Sequence, residues 1–117
     1  MSSIEELTEI AVAFRNARNW EQFHSIKNLL ISTNLEAAEL LELIQWKDDA
    51  TVEREAATEE FKGRLAEECA DIFIYLLLIC RIADIDLAEA TKMKIKRNSE
   101  KYPLEKAYGS AKKYTEL

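Results

Sequence analysis

Glycine and proline are scarce in this sequence, which has two glycines and one proline among 117 residues. These residues form the tight turns that sheets require, so their scarcity argues against a fold rich in hairpins. Hydrophobic residues make up 48% of the chain and charged residues 32%, a composition typical of folded rather than disordered proteins. The sequence therefore predicts one all-α domain over residues 1–117, in which long helices are joined by short connections.

Histidine is nearly absent as well, because His24 is the only one in the chain. A di-iron helical bundle requires two Glu-x-x-His motifs, so this class of site is excluded. Nucleophilic schemes built on Ser/His/Asp or Cys/His lack support, since Ser25 is the only serine or cysteine near this histidine. The sequence also lacks a glycine-rich phosphate loop, which excludes P-loop chemistry.

Long apolar runs are missing, and cysteines are few. Apolar residues run uninterrupted only from 72 to 80, which is too short to cross a bilayer, and the acidic N-terminus does not resemble a signal peptide. Cys69 and Cys80 fall eleven residues apart on one predicted helix. That spacing corresponds to about 16 Å along the helix axis, too far for a disulfide. We therefore expect a soluble cytoplasmic protein with buried, reduced cysteines and no membrane partner.

Charge is distributed unevenly along the chain, whose net charge is −6. Eight basic residues and two acids between positions 92 and 113 give that segment a charge of +6, which leaves −12 for the remainder. A nucleic-acid polymer is not the expected partner, because such binders show a broad basic footprint. An acidic body with one basic segment suits a small anionic ligand recruited through metal ions. A solvated basic helix face is the alternative.

Capping signals and apolar periodicity predict four main helices. Capping boxes mark the start of the first and fourth, and proline ends the fourth. The predicted bounds are Ser3 to a connection at 19–25, about Ile26 to Lys47, about Glu59 to Ala83, and Asp86 to Pro103. Residues 48–51 are predicted as a polar break that a short helical turn follows.

The third of these helices is apolar on nearly all sides between residues 72 and 82. A helix of this kind must be covered on several sides. Three partner helices from so short a chain are too few to cover it while also leaving a ligand cleft. We therefore predict a homo-oligomer, a dimer or a tetramer, in which helices of different chains complete each core.

Two pairs of acids point to metal chemistry. Glu36-x-x-Glu39 and Glu68-x-x-Asp71 each place two carboxylates on one helix face. If these faces meet, four carboxylates converge, and like charges 4 Å apart repel by roughly 4 kcal/mol at an effective dielectric near 20. Such a cluster requires cations, and carboxylate oxygens select Mg²⁺ or Mn²⁺ over zinc. The alternative is that these acids lie on solvated helix faces.

Aromatic residues are predicted on the same helix faces as these acids. Trp46 follows Glu39 by seven residues, and Tyr75 follows Asp71 by four. A nucleotide base could stack on such side chains, although core packing is the alternative. His24 lies on an aromatic-rich connection and is a candidate to hydrogen-bond a base or a sugar, with an incidental loop position as the alternative.

Six segments of the sequence form a recognisable series: WEQFH (20–24), NLL (28–30), EAAELLELIQWK (36–47), EECADIFIYLL (67–77), KxxxNxxKYP (94–103) and GSAKKYTEL (109–117). In this order they resemble the MazG-like all-α NTP pyrophosphohydrolases, which are related to the dimeric dUTPases, and most closely the dCTP pyrophosphatase branch. The resemblance extends from about Phe14 to the end of the chain.

The resemblance implies hydrolysis of a nucleoside triphosphate, with dCTP or a related deoxynucleotide as substrate, to the monophosphate and pyrophosphate in housecleaning of the nucleotide pool. It implies Mg²⁺ ligation and catalysis by Glu36, Glu39, Glu68 and Asp71. The nucleotide-binding residues that it implies are Trp20, Glu21, Gln22, Phe23, His24, Trp46 and Tyr75, with Lys94 and Asn98 near the phosphates.

The chain also departs from the family pattern. Leu35 and Ala38 stand where glycine is frequent, and Ala11 stands where some members carry a histidine near the nucleotide. These departures affect base preference rather than the metal site. Two alternatives therefore stay open: the same fold acting on another NTP or dNTP, and a non-catalytic helical interaction protein.

Overall fold

The computed structural model describes residues 3–117, in which six α-helices and two short 3₁₀ turns form the regular structure and no strand occurs. None of the helices in this range is long and apolar enough to cross a lipid bilayer. The helices are α1 (Ile4–Ala17), α2 (Ile26–Ile44), α3 (Asp49–Ala56), α4 (Glu59–Ile82), α5 (Leu87–Lys101) and α6 (Leu104–Ala107). The all-α prediction is confirmed, and the four long helices begin and end within a few residues of the predicted bounds.

Side-chain caps determine where the long helices begin. At α1, the Ser3 hydroxyl accepts a hydrogen bond from the Glu6 N–H, and the Glu6 carboxylate accepts one from the Ser3 N–H, as the capping box predicts. A polar side chain accepts a bond from the first turn of each of the next four helices as well. These caps are Ser25, Asp48, Thr58 and Asp86.

Helix α2 ends at Ile44, three residues earlier than predicted. Gln45 leaves the helical conformation, and Trp46 adopts a left-handed backbone with φ 68°. Lys47 then folds back, so that its ammonium donates to the carbonyl of Leu43 at 3.1 Å and to the carboxylate of Glu55 on α3 at 2.5 Å. Lys47 thus satisfies a helix-end carbonyl and closes the connection to α3.

Two compact units make up the chain, one reaching to Asp84 and the other Ile85–Leu117. In the first unit α4 is central, because α1, α2 and α3 all pack against it. Its core centres on Ala11, Leu29 and Leu78, one from each of the three long helices. In the second unit the Tyr102 ring packs edge-on against another tyrosine of that unit.

Large apolar side chains stay exposed on this single chain. On α2, Leu30 and Leu41 are 48% and 61% exposed, and helical spacing places both on the side opposite Glu39. On α4, Cys69 is exposed and Cys80 is half-buried, and both are free thiols. The prediction that both cysteines are buried is wrong for Cys69, which lies on a side of α4 that the described chain leaves uncovered.

Candidate active site

Three of the four predicted carboxylates converge where α2 packs on α4. One carboxylate oxygen from each of Glu36, Glu39 and Glu68 lies within 4.8 Å of the others, and we call these three residues the acid cluster. The i, i+3 spacing places the first two on one face of α2, and helix packing brings Glu68 against them. Asp71 is not part of this cluster, although it lies one turn beyond Glu68 on the same face of α4.

Hydrogen bonding, burial and mutual repulsion raise the pKa values of two members of the cluster, Glu68 and Glu36. A side-chain hydrogen bond with Glu39, followed by burial and the charges of Glu39, Glu36 and Asp71, raises the pKa of Glu68 to about 7. Burial raises the pKa of Glu36, helped by the hydrogen bond and charge of Glu39 and by the charge of Asp71. Between about pH 4.5 and 7, the metal-free cluster therefore retains a proton that an isolated glutamate would lose.

Two oxygens of the cluster lack hydrogen-bond partners. Oε2 of Glu36 and Oε2 of Glu68 are buried and accept no hydrogen bond from any described residue. An unpaired buried acceptor is unfavourable, and more so when it is charged. A divalent cation would satisfy both oxygens and cancel the repulsion, and a set of carboxylate donors suits Mg²⁺ or Mn²⁺. The residues present therefore fit a metal site.

We predict that the stability of the metal-free protein falls as the pH rises from about 4.5 to 7. Folding raises the pKa of Glu68 from 4.5 to about 7, so in this interval the folded state binds more protons than the unfolded state. The free energy of unfolding must then decrease with increasing pH.

Urea unfolding at several pH values in EDTA measures this dependence. Glu68→Gln is the control. Because it lacks the titrating group, its free energy of unfolding should change less with pH. Saturating Mg²⁺ should remove the decrease in the wild type, since the cation replaces the proton. A wild-type profile in EDTA that matches that of Glu68→Gln contradicts the prediction.

A cavity of about 580 Å³ adjoins the cluster, lined by α1, α4, Glu36 of α2 and the connection after α1. Its volume is in the range of small-molecule sites. Glu36 and Asp71 contribute carboxylates to its wall, while most of its other walls are apolar. Asp71 is thus placed beside the acid cluster and facing the same space.

Three of the predicted nucleotide-binding residues line this cavity: Trp20, His24 and Tyr75. The Trp20 ring packs edge-on against Phe14, with ring centroids 5.8 Å apart. The His24 ring has a buried Nδ1 without a hydrogen-bond partner among the described residues. Burial and the nearby charge of Arg15 lower the pKa of His24, so its imidazole is neutral at pH 7.

The three residues between Trp20 and His24 form a 3₁₀ turn and do not line the cavity. The amide of Gln22 donates to the Asn19 carbonyl at 3.0 Å, and Phe23 is 60% exposed. The Phe23 carbonyl accepts a hydrogen bond from the Asn28 side chain at 3.1 Å. Glu21 faces Arg15 at 4.0 Å. In the single chain these residues fix the connection that positions Trp20 and His24.

The remaining three predicted residues are not among those that line the cavity. Trp46 is 94% exposed after the end of α2 and does not line the cavity. Lys94 and Asn98 lie one turn apart on α5, which belongs to the second unit. Their predicted roles stay predictions.

Arg15 is a cavity residue that the sequence interpretation missed. It is 6% exposed and lines the cavity. Thr8, Ala11 and Arg15 form the buried stripe of α1 at i, i+3 and i+7. That spacing would have placed Arg15 on the buried face, but a charged residue is normally assigned to the solvent side.

Comparisons with known proteins agree with this architecture. The chain is 37% identical over 115 residues to dCTP pyrophosphatase 1 of Rattus norvegicus, an alignment that covers 98% of this chain and 68% of that protein. It is 36% identical to dCTP pyrophosphatase 1 of Homo sapiens with the same coverage. The crystal structure of a pyrophosphatase from Archaeoglobus fulgidus superimposes with a TM-score of 0.79 at 44% sequence identity, covering 88% of this chain and 94% of that one. The family model for MazG-like proteins matches residues 31–117. These matches confirm the resemblance seen in the sequence, and the chain belongs to the MazG-like family.

Proposed function

We propose that this chain hydrolyses nucleoside triphosphates to the monophosphate and pyrophosphate, with Mg²⁺ held by Glu36, Glu39, Glu68 and Asp71. The observation that carries the proposal is the acid cluster, which has two unpaired buried oxygens among the described residues and one member, Glu36, in the wall of a largely apolar cavity. The pyrophosphatase relatives support the enzyme class predicted from the sequence, a nucleoside triphosphate pyrophosphohydrolase.

The acid cluster accounts for the chemistry. Bound Mg²⁺ supplies Lewis-acid polarisation of phosphate oxygens and lowers the pKa of water. The acid cluster and Asp71 position the reacting groups, and we propose that Glu39 or Glu68 accepts the proton of the attacking water. Attack on the α-phosphorus forms the new P–O bond, and cleavage of the bridging P–O bond releases pyrophosphate.

The cavity is the proposed nucleoside site, with dCTP or a related deoxynucleotide as the substrate. Trp20 and Tyr75 supply aromatic surface for a base, and His24 supplies a ring nitrogen free to hydrogen-bond it. Support for a cytosine nucleotide comes from the curated relatives, which are dCTP pyrophosphatases. We propose Trp46, Lys94 and Asn98 as further contacts to the base and the phosphates.

We further propose that residues 1–117 act as one MazG-like domain within a cytoplasmic homo-oligomer. The family match supports one domain, because it spans parts of both compact units. Exposed apolar residues on α2 and α4 support assembly, since a second chain would cover them.

A panel of NTPs and dNTPs, assayed for released pyrophosphate with Mg²⁺ or with EDTA, tests the proposal. We expect turnover with Mg²⁺, none in EDTA, and recovery when Mg²⁺ is restored. Preference for dCTP supports the proposed substrate, whereas preference for another base retains the reaction and corrects the substrate. No turnover of any nucleotide, together with no thermal shift from Mg²⁺ plus nucleotide, would favour the non-catalytic interaction protein.

A further inference from the structure

Arg15 is a charged side chain in an almost fully buried position. It is 6% exposed. Its Nε donates to the side-chain oxygen of Asn16 at 3.1 Å. The only carboxylate within 4.0 Å among the described residues is that of Glu21, at 4.0 Å from Nη2, and the Glu21 side chain is 71% exposed. An ion pair of this length with so exposed a partner contributes little.

A guanidinium that lines a cavity and has so few partners among the described residues indicates a ligand. Burying a charge is costly unless hydrogen bonds and a counter-charge accompany it. A guanidinium has five N–H donors in a planar fork, and among the described residues only Nε–H makes a hydrogen bond. Arg15 lines the cavity, as does Ala11 one turn earlier on α1.

His24 complements this donor group. It lines the same cavity, close enough to Arg15 for the two side chains to interact electrostatically, and its buried Nδ1 has no partner among the described residues. A neutral imidazole carries one nitrogen that accepts a hydrogen bond. Arg15 and His24 together therefore place several donors next to one acceptor in an otherwise mostly apolar wall.

We propose that Arg15 is a base-specificity residue whose guanidinium donates hydrogen bonds to the acceptor edge of cytosine, while His24 accepts from the exocyclic amino group. This inference rests on the proposed function. Cytosine presents O2 and N3 as acceptors beside its amino donor, and this pattern matches the pair. Uracil and thymine carry a proton on N3, which would face the donors of Arg15. Sites built on such hydrogen bonds reject bases that leave them unpaired.

The test compares steady-state pyrophosphate release from dCTP and dUTP by the wild type, Arg15→Met and Arg15→Lys. In Arg15→Met we expect the KM for dCTP to rise about 10- to 100-fold with little change in kcat, because hydrogen bonds to charged groups are lost from ground and transition states alike. The preference for dCTP over dUTP should fall at least about tenfold. Arg15→Lys keeps the charge without the fork and should lose the same preference.

Arg54→Met is the matched control, because Arg54 lies on α3, is exposed, and does not line the cavity. It should behave as the wild type. Equal losses for dCTP and dUTP in the Arg15 variants, or no loss, would overturn the proposal. If circular dichroism shows that Arg15→Met does not fold, Arg15→Lys carries the comparison.

Binding of dCMP and dUMP, measured by titration calorimetry, separates this inference from the proposed function because it requires no turnover. Tighter binding of dCMP by the wild type, lost in Arg15→Met, supports base recognition even if no triphosphate is hydrolysed. Equal binding of dCMP and dUMP by the wild type overturns it even if hydrolysis is rapid.

Discussion

Replacing Glu68 by glutamine is expected to reduce pyrophosphate release at least about 10²-fold, because a carboxylate of the acid cluster is lost with almost no change in volume. The helices should persist, since the side chain caps no helix and pairs with no basic residue in the described chain. Circular dichroism and the nucleotide panel measure the two effects.

The same substitution should raise the stability of the metal-free protein above pH 7. It removes one negative charge from a cluster whose members repel each other, so the free energy of unfolding in EDTA increases. The increase in melting temperature that Mg²⁺ gives the wild type should be absent from Glu68→Gln. A Glu68→Gln variant that is more stable but less active than the wild type distinguishes a metal ligand from an acid with only a structural role.

Glu67→Gln is the matched control, an exposed neighbour outside the acid cluster. Its activity and its response to Mg²⁺ should equal those of the wild type. Glu39→Ala and Asp71→Ala should also abolish turnover while the helices remain. Full activity in either of these variants, or in Glu68→Gln, would refute the assignment of these acids.

A second prediction concerns the association of this chain with copies of itself. We expect the wild type to sediment as a dimer or tetramer and Leu41→Glu to sediment as a smaller species. Leu41 is 61% exposed on the side of α2 opposite the acid cluster, where a second chain would cover it. A carboxylate buried there without a partner should weaken association by at least about 10²-fold.

Leu104→Glu is the control for this experiment, since Leu104 is 79% exposed on α6 in the second unit. It should leave the sedimentation of the wild type unchanged. A wild type that is strictly monomeric at every concentration would contradict the oligomer, and an unchanged assembly in Leu41→Glu would exclude this face of α2 from the interface.

Local signals were sufficient to predict most of the fold. Ser3, Asp86 and Pro103 act within a turn of their own positions, so they marked helix limits correctly. The end of α2 was placed too late because it depends on Lys47 reaching back to Leu43 and across to α3. Such a contact is not encoded in helix periodicity.

The candidate site was predicted in part for similar reasons. Spacing along α2 and α4 determines which face each acid occupies, and the condition that these faces meet is fulfilled for Glu36, Glu39 and Glu68. How the two helices dock is not encoded in spacing, which predicts a cluster of four, whereas Asp71 lies outside the three acids that converge. Arg15 lies on the buried stripe of α1, but its charge argues for the solvent side, so spacing and residue type give opposite predictions there.

The two tryptophans of the chain occupy contrasting surroundings. Trp20 packs edge-on against Phe14 at the cavity wall, whereas Trp46 is 94% exposed. Their fluorescence should therefore separate, with Trp46 emitting as an indole in water and quenched readily by iodide. Emission from Trp20 should change when a ligand enters the cavity. In unlabelled protein, Trp20 can thus report ligand binding in the cavity, and Trp46 can report whether another molecule covers the end of α2.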